Sequence, residues 1–254
     1  MLLSFQHRAL VLKSPGLVTS TPRGRAQAVG RIKCFDEGRL FINYRPARNV
    51  GEDAPMPALH IKDIVVQLVL SAILIIGVYQ FYFWCQRNAV NTPRQLKLGI
   101  DDWIPYRPRW VWIYSCLYYP VIVYINFVTP SPREFIYMAA SFLVLLALQM
   151  IFFVFFPVTT PEHWRALNQK RGRSERFLAF VHRFDAASNC FPSMHVSVAT
   201  LTAFHLQGVL GPWAFVFPVL IGLSCLFTKQ HYVVDLPAGA VLGWVAFGFY
   251  QWLL

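Results

Sequence analysis

Two short stretches of the sequence carry side chains able to do chemistry: Cys190-Phe191-Pro192-Ser193-Met194-His195-Val196-Ser197 and Thr228-Lys229-Gln230-His231-Tyr232-Val233-Val234-Asp235. His231 and Asp235 are four residues apart, a spacing that puts both on one face of a helix, where the carboxylate can accept the N–H of one ring nitrogen. The other nitrogen is then a lone pair, and an imidazole held in one tautomer is what nucleophilic attack on phosphorus requires. Pro192 suits the first turn of a helix, having no N–H to leave unpaired and φ already set. Unpaired amides at that start, with the Ser193 hydroxyl, would cradle a phosphoryl group, and His195 projects from the same turn. The competing reading of His231 and Asp235 is a pair that only satisfies its own polarity, and Pro192 to His195 taken alone is a weak signal.

Both stretches border apolar runs. Hydrophobic residues make up 56% of the 254 positions and charged residues 14%, against about 25% charged in an ordinary soluble domain, so the bilayer is the expected solvent. An Asp at membrane depth costs about 2.5–3.5 kcal/mol on insertion scales, and function is the usual reason such a residue persists. The expected fold class is all-α, a polytopic membrane protein with six transmembrane helices in one bundle, over 64–84, 110–128, 135–157, 191–210, 212–228 and 232–254. Continuous apolar runs of about twenty residues match a hydrocarbon core of about 30 Å, whereas a membrane barrel shows alternating segments of roughly ten. Pro105, Pro108, Pro130, Pro132 and Gly211-Pro212 mark the boundaries, and Trp84, Trp110, Trp112 and Trp213 fall near run ends, at headgroup level.

Residues 1–58 form a basic polar leader with no acidic residue before Asp36, a composition that permits an organelle transit peptide or a basic tail. Residues 59–254 are one membrane domain. The five cysteines show no CxxC pair, so neither a disulfide framework nor a structural zinc site is suggested. The net charge of +11 lies in the polar segments, where it could meet anionic headgroups or a phosphorylated substrate; nothing patterned suggests nucleic acid. His205, beside Thr202 and Gln207, reads as a structural hydrogen-bonding residue, and Gly239 and Gly243 as a GxxxG face for close helix packing.

Together the two stretches resemble the type 2 phosphatidic acid phosphatase superfamily, whose second and third motifs read PSGH and SRxxxxxHxxxD. Here they stand as Pro192-Ser193-Met194-His195 and as Ser224-Cys225, five residues, His231, three residues and Asp235. The resemblance covers roughly residues 100 to 254. Met194 replaces the family's glycine, and Cys225 replaces its phosphate-clamping arginine. The first motif, KxxxxxxRP, is degenerate: Arg176 and Arg183 keep its spacing, but Phe184 replaces the proline. Other cations must then serve, from Lys170, Arg171, Arg173, Arg176, Arg183 and Lys229. Arg176, Arg183 and Lys229, with Ser193 and Met194, are the expected phosphate-binding set. Loss of the clamp is also similar to the inositol phosphorylceramide synthase and sphingomyelin synthase branch, which transfers a phosphorylated headgroup.

The resemblance implies a membrane enzyme acting on a lipid phosphate or phospholipid through a phosphohistidine on His231, with Asp235 orienting the ring, His195 as general acid, and neither metal nor cofactor. Hydrolysis of a lipid phosphate monoester or diphosphate is the favoured reaction, with headgroup transfer as the alternative. Two rival classes are a non-enzymatic carrier with a His/Asp proton relay and a metal-dependent hydrolase with His195, His231 and Asp235 as ligands. Six spans put the starts of the fourth and sixth opposite the N-terminus, and family habit makes that face extracytoplasmic. The cations Arg87, Arg94, Lys97, Arg107, Arg109 and those of 170–183 lie on the same face, which the positive-inside rule would assign to the cytoplasm.

Overall fold

The computed structural model describes residues 61–166, 172–184 and 188–254. The leader, Lys170 and Arg171 lie outside the described residues. The described elements are helical: α1 (Ile61–Arg87), a short α2 (Gly99–Trp103), α3 (Tyr118–Val128), α4 (Pro132–Phe155), a short α5 (Glu162–Ala166), α6 (Arg173–Phe184), α7 (Met194–Leu210), α8 (Val216–Phe227) and α9 (Asp235–Leu253).

Four apolar helical stretches are long enough to cross a membrane: Ile61–Arg87, Pro108–Val128, Pro132–Phe155 and Met194–Phe227. The six expected spans map onto them unevenly. Those expected at 191–210 and 212–228 fall within the single stretch Met194–Phe227, interrupted at Gly211, whose φ of 57° closes α7. The span expected at 232–254 is α9, shorter than foreseen because 228–234 is a turn.

Local chemistry explains several boundaries. Ser131 caps α4 by accepting the Glu134 N–H at 3.2 Å, with Pro132 in the first turn. Before α3 the chain makes a wider π turn over Ile113–Leu117. This suits Pro120, which lacks an N–H and crowds the carbonyl of residue 116.

Packing is tightest between α7 and α9. A Cβ on Gly239 would lie 2.5 Å from the Ser193 carbonyl oxygen, and one on Gly243 would lie 2.5 Å from that of Ser197. The GxxxG face therefore does pack helices closely, and it does so against the first turn of α7. Lower down, Leu145, Leu201, Ala246 and Phe247 join α4, α7 and α9 in one buried cluster. The outer face of α1 is apolar and exposed, including Val65, Val69 and Ile73, as a lipid-facing helix requires.

One end of the bundle is tied together by backbone bonds. Val90 N–H reaches Val154 O at 2.9 Å, Arg107 N–H reaches Phe227 O at 2.8 Å, and Ser193 N–H reaches Asp235 O at 3.0 Å. Isolated bridges join Arg94 to Val158 and Val158 to Asn189, the nearest approach to a sheet among the described residues. The ends of α1, α4 and α8 thus meet the starts of α7 and α9, where both chemistry-bearing stretches lie.

Candidate active site

The turn that carries His231 is shaped by the end of α8. Lys229 N–H bonds to Leu226 O at 3.1 Å and Gln230 N–H to Cys225 O at 2.9 Å, the paired bonds of a Schellman motif. Lys229 occupies the left-handed position, at φ 59°, where glycine is usual and another residue costs about 1 kcal/mol. Its side chain offsets that strain. The ammonium donates to the Asp101 carbonyl at 2.8 Å and sits 4.6 Å from the centre of the Trp164 ring. Burial lowers the Lys229 pKa, while Asp101 and Asp102 pull it back up. Asp101 holds the same turn a second time, accepting Val233 N–H at 2.9 Å.

His231 therefore lies on a turn, and the expectation that it shares a helix with Asp235 is corrected. Asp235 opens α9 and its carboxylate folds back, accepting Tyr232 N–H at 2.8 Å and contacting His231 Nδ1 at 3.2 Å. A carboxylate at a helix start is also favoured by the dipole. His231 Nδ1 lies 2.9 Å from the Cys190 carbonyl as well. Both partners are acceptors, so Nδ1 carries the proton and Nε2 is left as the lone pair. Cys190 is itself fixed by its N–H bond to Val158 O at 3.0 Å.

The second histidine comes from α7. Here too one expectation is corrected: Pro192 precedes the helix, and buried Ser193 is its N-cap, accepting Val196 N–H at 3.4 Å. Met194 and His195 begin the helix, so the i−4 carbonyls of their amides lie outside it. The Ser193 N–H is already committed to Asp235 O, which leaves the anion cradle to the residues after it.

His195 lies beside two buried tyrosines. Tyr114 Oη is 3.4 Å from its Nδ1, and the Tyr114 and Tyr118 rings lie at 4.3 and 5.0 Å. The rings of His195 and His231 are 6.0 Å apart, centre to centre, and inclined at 65°. A ring nitrogen of each and the Cys225 sulfur lie within 4.8 Å of one another. Met194 and His195 also line a cavity of about 510 Å³ whose other walls are largely apolar, from Leu74, Ile75 and Phe83 on α1 to Phe142 and Leu146 on α4. His195 thus stands between His231 and a space with the chemistry of a hydrocarbon chain.

A family model described as the PAP2 superfamily matches residues 104–249, a span that includes both histidines, Asp235, all of α7 and most of α9. The chain belongs to the PAP2 superfamily. No curated protein and no solved structure matches it. Members of the PAP2 superfamily are phosphatases or phosphotransferases. Membership, with four helices able to cross a bilayer, supports a phosphatase-type activity on lipid phosphates in an integral membrane protein.

The structure assembles His195, His231, Asp235, Ser193 and Met194 at one place. Lys229 is buried beside them, with its ammonium turned to Asp101 and Trp164. Arg176 and Arg183 lie on α6 and are exposed. That helix reaches the site through other residues: Phe177, Phe180 and Val181 line the cavity, and His182 contacts Gln230. Residues missed in the sequence are Asp101, Tyr114, Tyr118 and the Cys190 carbonyl. Only the Asp101-Asp102 pair, next to an apolar run, offered a signal.

Proposed function

We propose that this PAP2 protein hydrolyses a lipid phosphate monoester or diphosphate through a phosphohistidine on His231. The observation that carries the reading is the pairing of His231, its tautomer set by Asp235 and Cys190 O, with His195 6.0 Å away at the lining of the apolar cavity. In this scheme Nε2 of His231 attacks the terminal phosphorus in line, and the bond from that phosphorus to the departing oxygen breaks as His195 delivers a proton to it, the leaving group being the lipid alkoxide of a monoester or the lipid phosphate of a diphosphate. Water then attacks the phosphohistidine, giving its proton to His195 and releasing phosphate. Helix-start amides of α7 stabilise the phosphoryl oxygens, joined by Lys229, Arg176 and Arg183 only once a bound phosphate draws their side chains from the positions they hold here, and the cavity takes the lipid chain. The scheme uses neither metal nor cofactor.

Transfer to a lipid alcohol instead of water is the second reading, favoured by Cys225 in place of the arginine that clamps phosphate elsewhere in the family. Six crossings are the topology we favour, with the turn at Gly211 separating α7 from α8 and with α9 as the last. The active site then faces away from the cytoplasm, where its cations serve the substrate. Incubating the purified protein with lipid phosphates and with sphingolipid acceptors tests the reaction. Released phosphate without new phospholipid supports hydrolysis, new phospholipid supports transfer, and neither product from any lipid would sink both.

A further inference from the structure

We propose that His195, Cys225 and His231 form a binding site for one borderline-soft divalent cation, of which Zn²⁺ is the type, and that its occupancy blocks phosphoryl transfer. The thiol has no part in the reaction proposed above, yet it is fully buried, with its sulfur within 4.8 Å of a nitrogen of each histidine. Cys225 stands where the family motif carries arginine. An arginine there would repel a metal ion; a thiol supplies the soft third ligand that two imidazoles need to hold zinc. Zn–N bonds of about 2.0–2.1 Å and a Zn–S bond of about 2.3 Å put tetrahedral donors about 3.5 Å apart. The triangle must therefore close by about 1 Å, which rotation of side chains on α7, α8 and the following turn can supply.

A second observation is independent of those distances. Metal-binding histidines commonly give their other ring nitrogen to a carboxylate or carbonyl, which fixes the ring and makes it a better ligand. His231 already has both, from Asp235 at 3.2 Å and Cys190 O at 2.9 Å, and His195 has Tyr114 Oη at 3.4 Å. Charge also balances: on binding, the thiol loses its proton to water, and thiolate plus the Asp235 carboxylate neutralise a divalent ion in a buried place. The metal takes the His231 lone pair that would attack phosphorus and leaves a fourth position for water or a phosphate oxygen.

The blocking half of the proposal rests on the phosphohistidine reading; the binding half does not, and the experiment separates them. Purified full-length protein is titrated with Co²⁺ without substrate, and the sulfur-to-cobalt charge-transfer band in the near ultraviolet is followed. We expect the band in wild type and its loss in both Cys225→Ala and the near-isosteric Cys225→Ser. Phosphate release from a lipid phosphate is then measured against Zn²⁺, each variant relative to its own metal-free rate. Zinc should inhibit the wild type reversibly with EDTA, and the inhibitory concentration should rise roughly 100-fold or more in Cys225→Ala, since even outer-shell changes cost 10–100-fold. A cobalt band that persists in both variants would overturn the site. Equal zinc inhibition of wild type and variants would overturn the role of the thiol in blocking. Activity lost in EDTA and restored by zinc would overturn the block itself and make the metal catalytic.

Discussion

His195 and His205 stand at opposite ends of one helix, and their surroundings differ in what they leave undone. His205 Nε2 meets Ser141 Oγ at 3.2 Å, and the rings of Phe142, Phe247 and Tyr250 enclose it at 5.9, 5.5 and 4.5 Å. Everything around it among the described residues is helix packing, with a tyrosine but no second histidine or carboxylate in contact. His195 lies on a cavity, with Tyr114 and Tyr118 on one side and His231 on the other. Burial alone therefore does not mark a histidine as functional in a membrane protein. What sets His195 apart is a second histidine 6.0 Å away, centre to centre, and a cavity at its own ring.

The comparison breaks most sharply at the partner of His195. His231→Ala removes the bond-forming atom, and we expect at least about a 10⁴-fold loss, no labelled phosphoenzyme, and no rescue by a better leaving group. His195→Ala should lose about 10²- to 10⁴-fold on a lipid phosphate, the span of general acid catalysis. It should lose far less in phosphoenzyme formation from an aryl phosphate, whose leaving group departs without a proton. Equal losses on the two substrates, or a phosphoenzyme in His231→Ala, would show that the two roles are assigned wrongly.

Asp235→Asn should cost less, about 10- to 100-fold, because the Cys190 carbonyl still accepts from Nδ1 and the imidazole survives. A loss as large as that of His231→Ala, in a protein that still folds by near-ultraviolet circular dichroism, would mean that the carbonyl does not set the tautomer. Gly239→Ala tests the scaffold. Its new Cβ would lie 2.5 Å from Ser193 O, so α7 and α9 must part at the cap, with a stability cost of about 1–3 kcal/mol and about tenfold lower kcat. Unchanged thermal stability and kcat would show that this close approach does not matter.

The smallest expected effect on turnover belongs to the other end of α7. His205→Ala strands the Ser141 contact and opens a gap, at about 1–3 kcal/mol, while kcat stays within about threefold of wild type. The measurements are the thermal midpoint and kcat of the purified protein. A kcat reduced as far as in His195→Ala would erase the distinction between the two histidines.

What the sequence by itself determined was the solvent and where to look for a site. Residue types are enough for both: long apolar runs cannot be hidden in a soluble core, and two histidines with an aspartate are conspicuous against them. The PSMH and HYVVD segments also identified the family, because their spacing survives substitutions at Met194 and Cys225. The number of helix interruptions, the start of α9 and the place of Pro192 were decided locally, by the Schellman turn at Lys229 and the cap at Ser193. Periodicity carries no sign of such turns, particularly with lysine where glycine is the usual signal.

Only the tertiary structure decided how His231 is held. Its ring is fixed by a backbone carbonyl 41 positions away, and its turn is fastened by Asp101 from 132 positions before Val233. A carbonyl is present at every residue, and the Asp101-Asp102 pair, though conspicuous beside an apolar run, carries no sign of which turn it fastens, so neither contact can be read from residue type. The same holds for the cations. Sequence spacing grouped Arg176, Arg183 and Lys229, but the fold exposes the first two and commits the third to Asp101 and Trp164, because direction and burial depend on which elements pack together.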